Sequence, residues 1–279
     1  MTLYPPRVYN AGYNTLVEYI YRGNNKRWKV SKILLNYLEP SYHLGFITLH
    51  LYGTFLALGI LVGLLPAKSL SLEKGIKSDL LYGTVTACII GGIIGARLLS
   101  VALNPASFLE NPLSVFALHQ GGMAYFGGLA GGALAAFIYT RKYRINLWTM
   151  ADIIAPALAL GEAVARLGCD VYGYASTQAP FPRIVNGIAY HNIPLYTSLA
   201  TLGIFIALWY LRDKVSRGQL FLLYLLMYGV SRTFIDYFRG EQFLLSIFNS
   251  AQLGSMGIAL VALVLIYVKF NPVPNWRKN

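Results

Sequence analysis

Seven apolar runs, each about the length needed to cross a lipid bilayer, account for most of this chain. They cover residues 46–65, 80–103, 122–140, 147–165, 193–211, 219–237 and 251–268. A helix needs about 20 apolar residues to cross the hydrocarbon core, and lipid offers no water to an unpaired strand edge. The pattern therefore predicts an all-α integral membrane protein with seven transmembrane helices. Composition agrees, because only 12% of the residues are charged, against about 25% in soluble domains.

Basic residues flank alternate runs and thereby predict the orientation of the chain. They follow the first, third and fifth runs and end the chain, at Lys68, Lys74, Lys77, Arg141, Lys142, Arg144, Arg212, Lys214, Arg217, Lys269, Arg277 and Lys278. The loop 170–192 holds only Arg183. Because cytoplasmic loops carry the excess of Lys and Arg, we expect the N-terminus outside and the C-terminus in the cytoplasm. The net charge of +12 then needs no nucleic acid partner, since the cations form neither a patch nor a stripe.

The chain divides into three parts. The N-terminal arm, 1–45, is basic, and apolar residues at Val30, Ile33, Leu34 and Leu38 predict an amphipathic helix on the membrane surface. Residues 46–270 form the predicted transmembrane domain, and 271–279 form a cytoplasmic tail. The external loop 170–192 contains Asn-Gly between β-forming residues, which predicts a small hairpin cap.

Several charged side chains lie in or beside the predicted spans, where charge is costly and usually functional. They are Arg97, Glu162, Arg166, Asp170, Arg232, Asp236 and Arg239. Glu162, Arg166 and Asp170 are spaced four apart and share one helix face if the helix continues. One interpretation is a set of buried ion pairs that tie helices together. The other is an anion site, because guanidinium binds phosphate through a bidentate fork, and the obvious anion in a membrane is a lipid phosphate.

Three further features have both a structural and a functional interpretation. The glycines Gly121, Gly122, Gly127 and Gly128 open the third run, where they favour close helix packing or a helix N-terminus that offers N–H groups to an anion. Tyr52 is typical of an interfacial aromatic residue. His191 and Tyr196 flank the start of the fifth run and are candidate contacts to a substrate.

Taken together, these residues resemble the prolipoprotein diacylglyceryl transferase family over about residues 46–270. The matching segments, in family order, are His50-Leu51-Tyr52-Gly53, Gly95-Ala96-Arg97-Leu98, Asn111-Pro112-Leu113, Gln120 through Gly128, Ala165-Arg166-Leu167-Gly168-Cys169 with Tyr172-Gly173, His191 through Tyr196, Tyr228-Gly229 with Arg232, Asp236 and Arg239, and Gln252 through Ser255. Each segment is short, but their joint order and spacing are specific.

The resemblance implies a reaction at the outer side of a bacterial cytoplasmic membrane. The diacylglyceryl group of phosphatidylglycerol moves to the lipobox cysteine thiol in the signal peptide of a prolipoprotein, and glycerol phosphate leaves. It implies that Arg166 and Arg232 are essential, that Tyr52 and Asp236 are motif residues, and that Asp170 loosely matches an acidic position. Substrate contacts are expected at Arg97, Gly121, Gly122, Gly127, Gly128, Gly173, His191, Tyr196 and Arg239. No metal or other cofactor is implied.

The chain departs from the family pattern at a few motif positions. Phe126 stands where the motif has His, Cys169 where it has Asn, Pro194 where it has Gln, and Asp236 where it has Glu. A positioned general base contributes about 10²–10⁴-fold, so we expect a slower transferase whose rate rises with pH. Two other functions compete with this hypothesis: a non-catalytic relative that binds phosphatidylglycerol or prolipoprotein, and a small-solute transporter.

Overall fold

A computed structural model describes residues 41–44, 47–105, 115, 124–185, 188–239 and 250–270. These residues form four strands and seven helices. In chain order they are β1 (Ser41–Leu44), β2 (Ile47–His50), α1 (Leu51–Glu73), α2 (Ser78–Leu103), α3 (Tyr125–Lys142), α4 (Leu147–Leu167), β3 (Arg183–Val185), β4 (Ile188–Tyr190), α5 (Ile193–Leu211), α6 (Gln219–Asp236) and α7 (Ser250–Phe270). The amphipathic helix predicted in the N-terminal arm and the predicted tail 271–279 lie outside the described residues.

Each predicted run corresponds to one of the described helices, which confirms a largely helical chain. Five of them, α1, α2, α4, α5 and α7, are long and apolar enough to cross a membrane. The other two, α3 and α6, have 18 residues each and are less apolar, because they carry glycines and charged residues respectively. The count of seven membrane spans therefore stays a prediction.

The first span begins later than predicted. Residues Ile47–His50 form a strand that pairs with Ser41–Leu44, with Ser41 opposite His50 and Leu44 opposite Ile47. Helix α1 then runs from Leu51 to Glu73, so the start predicted at residue 46 was wrong, and the helix continues beyond residue 65. The physical reason is visible in the sequence, since Ile-Thr-Leu-His alternates apolar and polar residues with the period of a strand. The boundary predicted at 45/46 falls inside this hairpin.

The chain folds as two compact units. The first, which we call the arginine unit, holds the described residues up to Gly59, Glu162–Gly203 and Leu226–Val261. The second, the glycine unit, holds Ile60–Gly161, Ile204–Leu225 and the described residues from Ala262 onward. Helices α1, α4, α5, α6 and α7 each contribute segments to both units, so one helix can carry features of both.

The glycine unit is built on a close contact between α2 and α3. A Cβ atom added to Gly131 would lie 2.9 Å from the Cα of Gly95, closer than a Cβ contact allows. The backbone of the residue before α3 also joins this contact, because Ala124 N–H donates to Ala96 O at 3.1 Å. Small residues spaced four apart let helix backbones approach in this way. The packing interpretation of the glycine run therefore holds in the described part of it.

A buried carboxylate fixes the start of α6 in the glycine unit. Asp152 of α4 is only 2% exposed. Its Oδ2 accepts from Gly218 N–H at 2.5 Å and its Oδ1 from Phe221 N–H at 3.0 Å. These are N–H groups that the first turn of a helix leaves without a partner in the helix. Asp152 thus caps α6 from a neighbouring helix.

The arginine unit contains the hairpin predicted in loop 170–192. Strands β3 and β4 are antiparallel, with Val185 opposite Ile188 and Arg183 opposite Tyr190. This register confirms the hairpin at the predicted place. The segment before it lies along the other edge of β4, where Ser176 N–H donates to Ala189 O at 2.8 Å. Whether the hairpin caps the helices on the outer side of the membrane stays a prediction.

Candidate active site

The last two turns of α4 hold a partly buried ion pair. Both Nε and Nη2 of Arg166 donate to the same carboxylate oxygen of Glu162, at 3.0 and 2.9 Å. The two side chains are only 27% and 19% exposed. Tyr228 of α6 donates to that oxygen as well, at 3.1 Å. The carboxylate of Glu162 therefore binds Arg166 on its own helix and a hydroxyl on another helix.

A second ion pair lies one turn further along α6. Arg232 Nε is 3.0 Å from Asp236 Oδ2, and the Asp236 side chain is fully buried. Arg239, just beyond the helix, approaches the other carboxylate oxygen at 3.8 Å. The Nη1 atom of Arg232 is buried and has no hydrogen-bond partner among the residues that the structure describes. A buried donor without an acceptor is costly, which is the condition an incoming anion would relieve.

Cys169 lies two residues beyond the end of α4 and three residues after Arg166. Burial raises the pKa of the Cys169 thiol, and the positive charges of Arg166 and Arg232 oppose this rise. The contact that joins the two ion pairs is the hydrogen bond from Tyr228 to Glu162, one turn before Arg232 on α6.

Asp170 lies beyond the end of α4. The sequence placed it on the face of Glu162 and Arg166 only if the helix continued, and α4 ends at Leu167, so that condition is not met. Instead Asp170 forms a salt bridge with Arg183 of β3, whose Nη1 also donates to Cys169 O at 3.4 Å. The chain turns at Gly168, where a Cβ atom would lie 2.9 Å from Leu51 O. The close approach of α1 leaves no room there for a side chain.

His191, Tyr196 and Gly173 form a second cluster in the arginine unit. His191 Nδ1 lies 3.2 Å from Tyr196 Oη, and its ring centre is 4.7 Å from that of Phe238. Gly173 N–H donates to His191 O at 2.9 Å, and a side chain at Gly173 would collide with Phe238 O. Burial lowers the pKa of His191, so its imidazole is neutral at neutral pH. The structure explains why these residues occur together, and their contact with substrate stays a prediction.

The remaining predicted residues are spread over both units. Tyr52, in the arginine unit, is the second residue of α1 and is 50% exposed. Arg97, in the glycine unit, is only 7% exposed and donates through Nε to Val115 O at 2.8 Å. Gly127 and Gly128 lie in the first turn of α3, where Gly128 N–H already donates to Ala124 O at 3.1 Å. Gly121 and Gly122 lie outside the described residues, so an anion-binding role for the glycine run stays a prediction.

We call the ion pairs of the arginine unit and the side chains bonded to them the arginine cluster: Glu162, Arg166, Asp170, Arg183, Tyr228, Arg232, Asp236 and Arg239. Sequence reasoning missed three of its members as site residues. Glu162 was noted for its spacing to Arg166, but not as a member of the site. Arg183 was used only to count loop charges. Tyr228 stood in a family segment without a role, and no local pattern could connect it to Glu162, because the two are 66 residues apart.

The helices and the arginine cluster define a multi-pass membrane protein with a cationic site at the ends of two helices. A family model for prolipoprotein diacylglyceryl transferase matches residues 41–268. A phosphatidylglycerol–prolipoprotein diacylglyceryl transferase of Bacillus cytotoxicus is 30% identical over 81% of this chain and 90% of its own length. One of Staphylococcus aureus is 30% identical over 86% and 93% respectively. The chain belongs to the prolipoprotein diacylglyceryl transferase family, which favours a transferase over a transporter.

Proposed function

We propose that this protein transfers the diacylglyceryl group of phosphatidylglycerol to the lipobox cysteine thiol of a prolipoprotein signal peptide. The observation that carries the proposal is the pair of guanidinium groups, Arg166 and Arg232, whose helices are joined by the hydrogen bond from Tyr228 to Glu162. They come from two different helices of a chain whose family is named for this transfer. Such a pair suits a substrate with a phosphate at its reacting end.

The chemistry places growing negative charge next to these arginines. The thiol sulfur forms a bond to the glyceryl carbon, the bond from that carbon to the phosphate oxygen breaks, and its electron pair leaves with glycerol phosphate. The thiol proton passes to a base. Fixed cations in a site with little water stabilise the charge as it develops. Arg166 and Arg232 are therefore assigned to the leaving group, and Asp236 holds Arg232 in place.

The ion pairs of the described site leave a donor for a phosphate. Arg166 pairs with Glu162 and Arg183 with Asp170, whereas Asp236 faces both Arg232 and Arg239. A phosphodiester such as phosphatidylglycerol carries one negative charge, and the buried Nη1 of Arg232 offers it a donor.

The direct test is transfer by the purified protein. The protein is placed in vesicles of phosphatidylglycerol with a synthetic lipobox peptide, and the peptide mass is followed with time. We expect a gain of one diacylglyceryl group and release of glycerol phosphate in equal amount. Vesicles of phosphatidylethanolamine alone are the control. A peptide that stays unmodified at every pH contradicts the proposal.

One observation favours a second function. Phe126, at the position where the family motif has His, is 66% exposed in the first turn of α3 and has no group that accepts a proton. A protein that binds phosphatidylglycerol without transferring its lipid would retain the arginine cluster. Binding of phosphatidylglycerol without transfer, and with no recovery in Phe126→His, would identify this second function.

We also propose that the arginine cluster faces the outer side of a bacterial cytoplasmic membrane, with the N-terminus outside and the C-terminus inside. The loop charges support this orientation, because Lys and Arg crowd the loops of the glycine unit. Single cysteines in loop 174–190 should react with an impermeant reagent in intact cells. Those in loop 212–218 should react only after permeabilisation. The reverse pattern would contradict the orientation.

A further inference from the structure

Glu162 connects the two helices that carry the essential arginines. Its Oε1 accepts two hydrogen bonds from Arg166 on α4 and one from Tyr228 on α6. Tyr228 precedes Arg232 by one helical turn, which is about 6 Å along the axis. By contrast, Asp236 holds Arg232 from within the same helix. Within the arginine unit, one carboxylate oxygen of Glu162 thus bonds to both helices.

The same oxygen also decides which edge of Arg166 faces a ligand. Guanidinium has five N–H donors in a rigid fork. Glu162 takes the edge formed by Nε and Nη2. Glu162 does not use the edge formed by Nη1 and the second hydrogen of Nη2, which has the two parallel N–H groups that bind two phosphate oxygens. Arg166 also donates to the Cys169 thiol, so an incoming phosphate shares this edge with that sulfur.

We infer that Glu162 is a positioning residue for the transfer: it presents the outer edge of Arg166 to the phosphate and sets the spacing between Arg166 and Arg232. The inference rests on the proposed function, because it concerns how that site binds its leaving group. Glu162 itself touches no reacting atom. Its effect passes through Arg166.

The alternative is an ion pair that contributes to stability alone, which is common for i,i+4 pairs. The two cases differ in what the removal of Glu162 changes. A stabilising pair changes the unfolding temperature and the amount of folded enzyme, and leaves kcat of the folded enzyme unchanged. A positioning residue changes kcat, because the misplaced guanidinium no longer lies where negative charge develops on the leaving group in the transition state.

The first experiment measures kcat and KM of Glu162→Gln and Glu162→Ala in phosphatidylglycerol vesicles, corrected for folded protein. We expect kcat to fall about tenfold in Glu162→Gln, which keeps an acceptor oxygen, and up to about 100-fold in Glu162→Ala. KM should change by less than about twofold in both. The control is Glu73→Gln, an exposed carboxylate 3.9 Å from Arg212, which should leave kcat unchanged.

The same experiment is repeated in an Arg166→Lys background. If Glu162 acts through Arg166, Glu162→Ala should lower kcat by less than about twofold there, because residues that work as one unit are not additive. A full additional loss in the double variant would overturn the inference. So would a kcat in Glu162→Ala equal to that of the unaltered enzyme.

A second experiment needs no transfer activity. In a Cys88→Ala background Cys169 is the remaining cysteine, since the chain has two. Its reaction rates with an anionic and a cationic methanethiosulfonate report the local charge. If Glu162 positions Arg166, the guanidinium moves away from the thiol in Glu162→Gln, so the ratio of anionic to cationic rate should stay the same or fall although a negative charge is gone. A rise of about threefold or more would mean that Arg166 stays in place without Glu162, which would overturn the inference.

The two experiments separate the inference from the proposed function. Absence of transfer by the unaltered protein would contradict the proposed function, and the labelling ratio would then decide alone whether Glu162 positions Arg166. Normal transfer with no loss of kcat in either Glu162 variant would overturn only the positioning role.

Discussion

Cationic side chains have different partners in the two units of this protein. In the arginine unit, Arg166 and Arg232 are mostly buried and bonded to carboxylates one turn away on their own helices. In the glycine unit, basic residues near helix ends lie over aromatic rings. Lys214 is 3.5 Å from the Tyr210 ring centre and Arg141 is 5.2 Å from that of Phe137.

The difference shows which surroundings suit an arginine of a membrane protein to an anion-binding site. A cation over an aromatic ring at a helix end keeps contact with water and anchors the helix at the interface. An arginine inside a span is costly without a partner, and a fixed carboxylate also fixes its direction. Arg97 is an intermediate case, because it is buried in the glycine unit and donates to a backbone carbonyl.

The largest effect is expected from one conservative substitution made in both units. Arg166→Lys and Arg232→Lys should each lower transfer by about 100-fold or more, because lysine keeps the charge and loses the bidentate fork. Arg141→Lys, over the Phe137 ring at 5.2 Å, should change it by less than about twofold. Transfer is measured per folded protein in phosphatidylglycerol vesicles. Near-normal transfer in both site variants would mean that these arginines are structural.

The next effect concerns packing, with one substitution at two helical glycines. Gly131→Ala in the glycine unit places a Cβ 2.9 Å from Gly95 Cα and should cost about 1–3 kcal/mol of stability. Gly257→Ala in the arginine unit meets nothing within 4 Å and should be neutral or slightly stabilising. Unfolding in detergent compares the two. Equal stabilities would contradict a tight contact between α2 and α3.

A smaller effect is expected at Phe126, and it depends on pH. Phe126→His should raise transfer about tenfold near pH 7 and much less near pH 9. The substrate's cysteine thiol, with a pKa of about 8.5, is mostly protonated at the lower pH and mostly thiolate at the higher. A general base therefore helps only below the pKa of that thiol. Tyr267→His, at a residue that is also 66% exposed, controls for an added histidine. An equal gain at both pH values would contradict a role as general base.

The smallest effect is expected where a cation serves the membrane interface. Lys214→Gln removes the cation over the Tyr210 ring and should change stability by about 0.5–1 kcal/mol at most, as for exposed cation–π pairs. Transfer should not change. A loss of transfer comparable to that of Arg166→Lys would contradict the different roles of cations in the two units.

Helix positions were predictable because the signal is local. An apolar run of membrane length marks a helix whatever surrounds it, and α2, α5 and α7 lie close to their predicted runs. Asn-Gly between β-forming residues likewise placed the β3–β4 hairpin. The error occurred at the start of α1, which begins after a strand, because helix ends depend on what packs against them.

The candidate site was predictable in its residues and only partly in its contacts. The spacing of four between Glu162 and Arg166, and between Arg232 and Asp236, is a property of one helix, so both pairs were visible in the sequence. The pairing of Asp170 with Arg183 was not, because it joins the end of α4 to a strand of the hairpin.

The sequence by itself therefore determined the membrane class, the places of the helices, the hairpin and the family, since each depends on composition, periodicity or short motifs. The tertiary structure alone decided that Tyr228 meets Glu162 and that α2 and α3 touch through glycine. These contacts join residues far apart along the chain. Their formation depends on how whole helices pack, which no local pattern of side chains specifies.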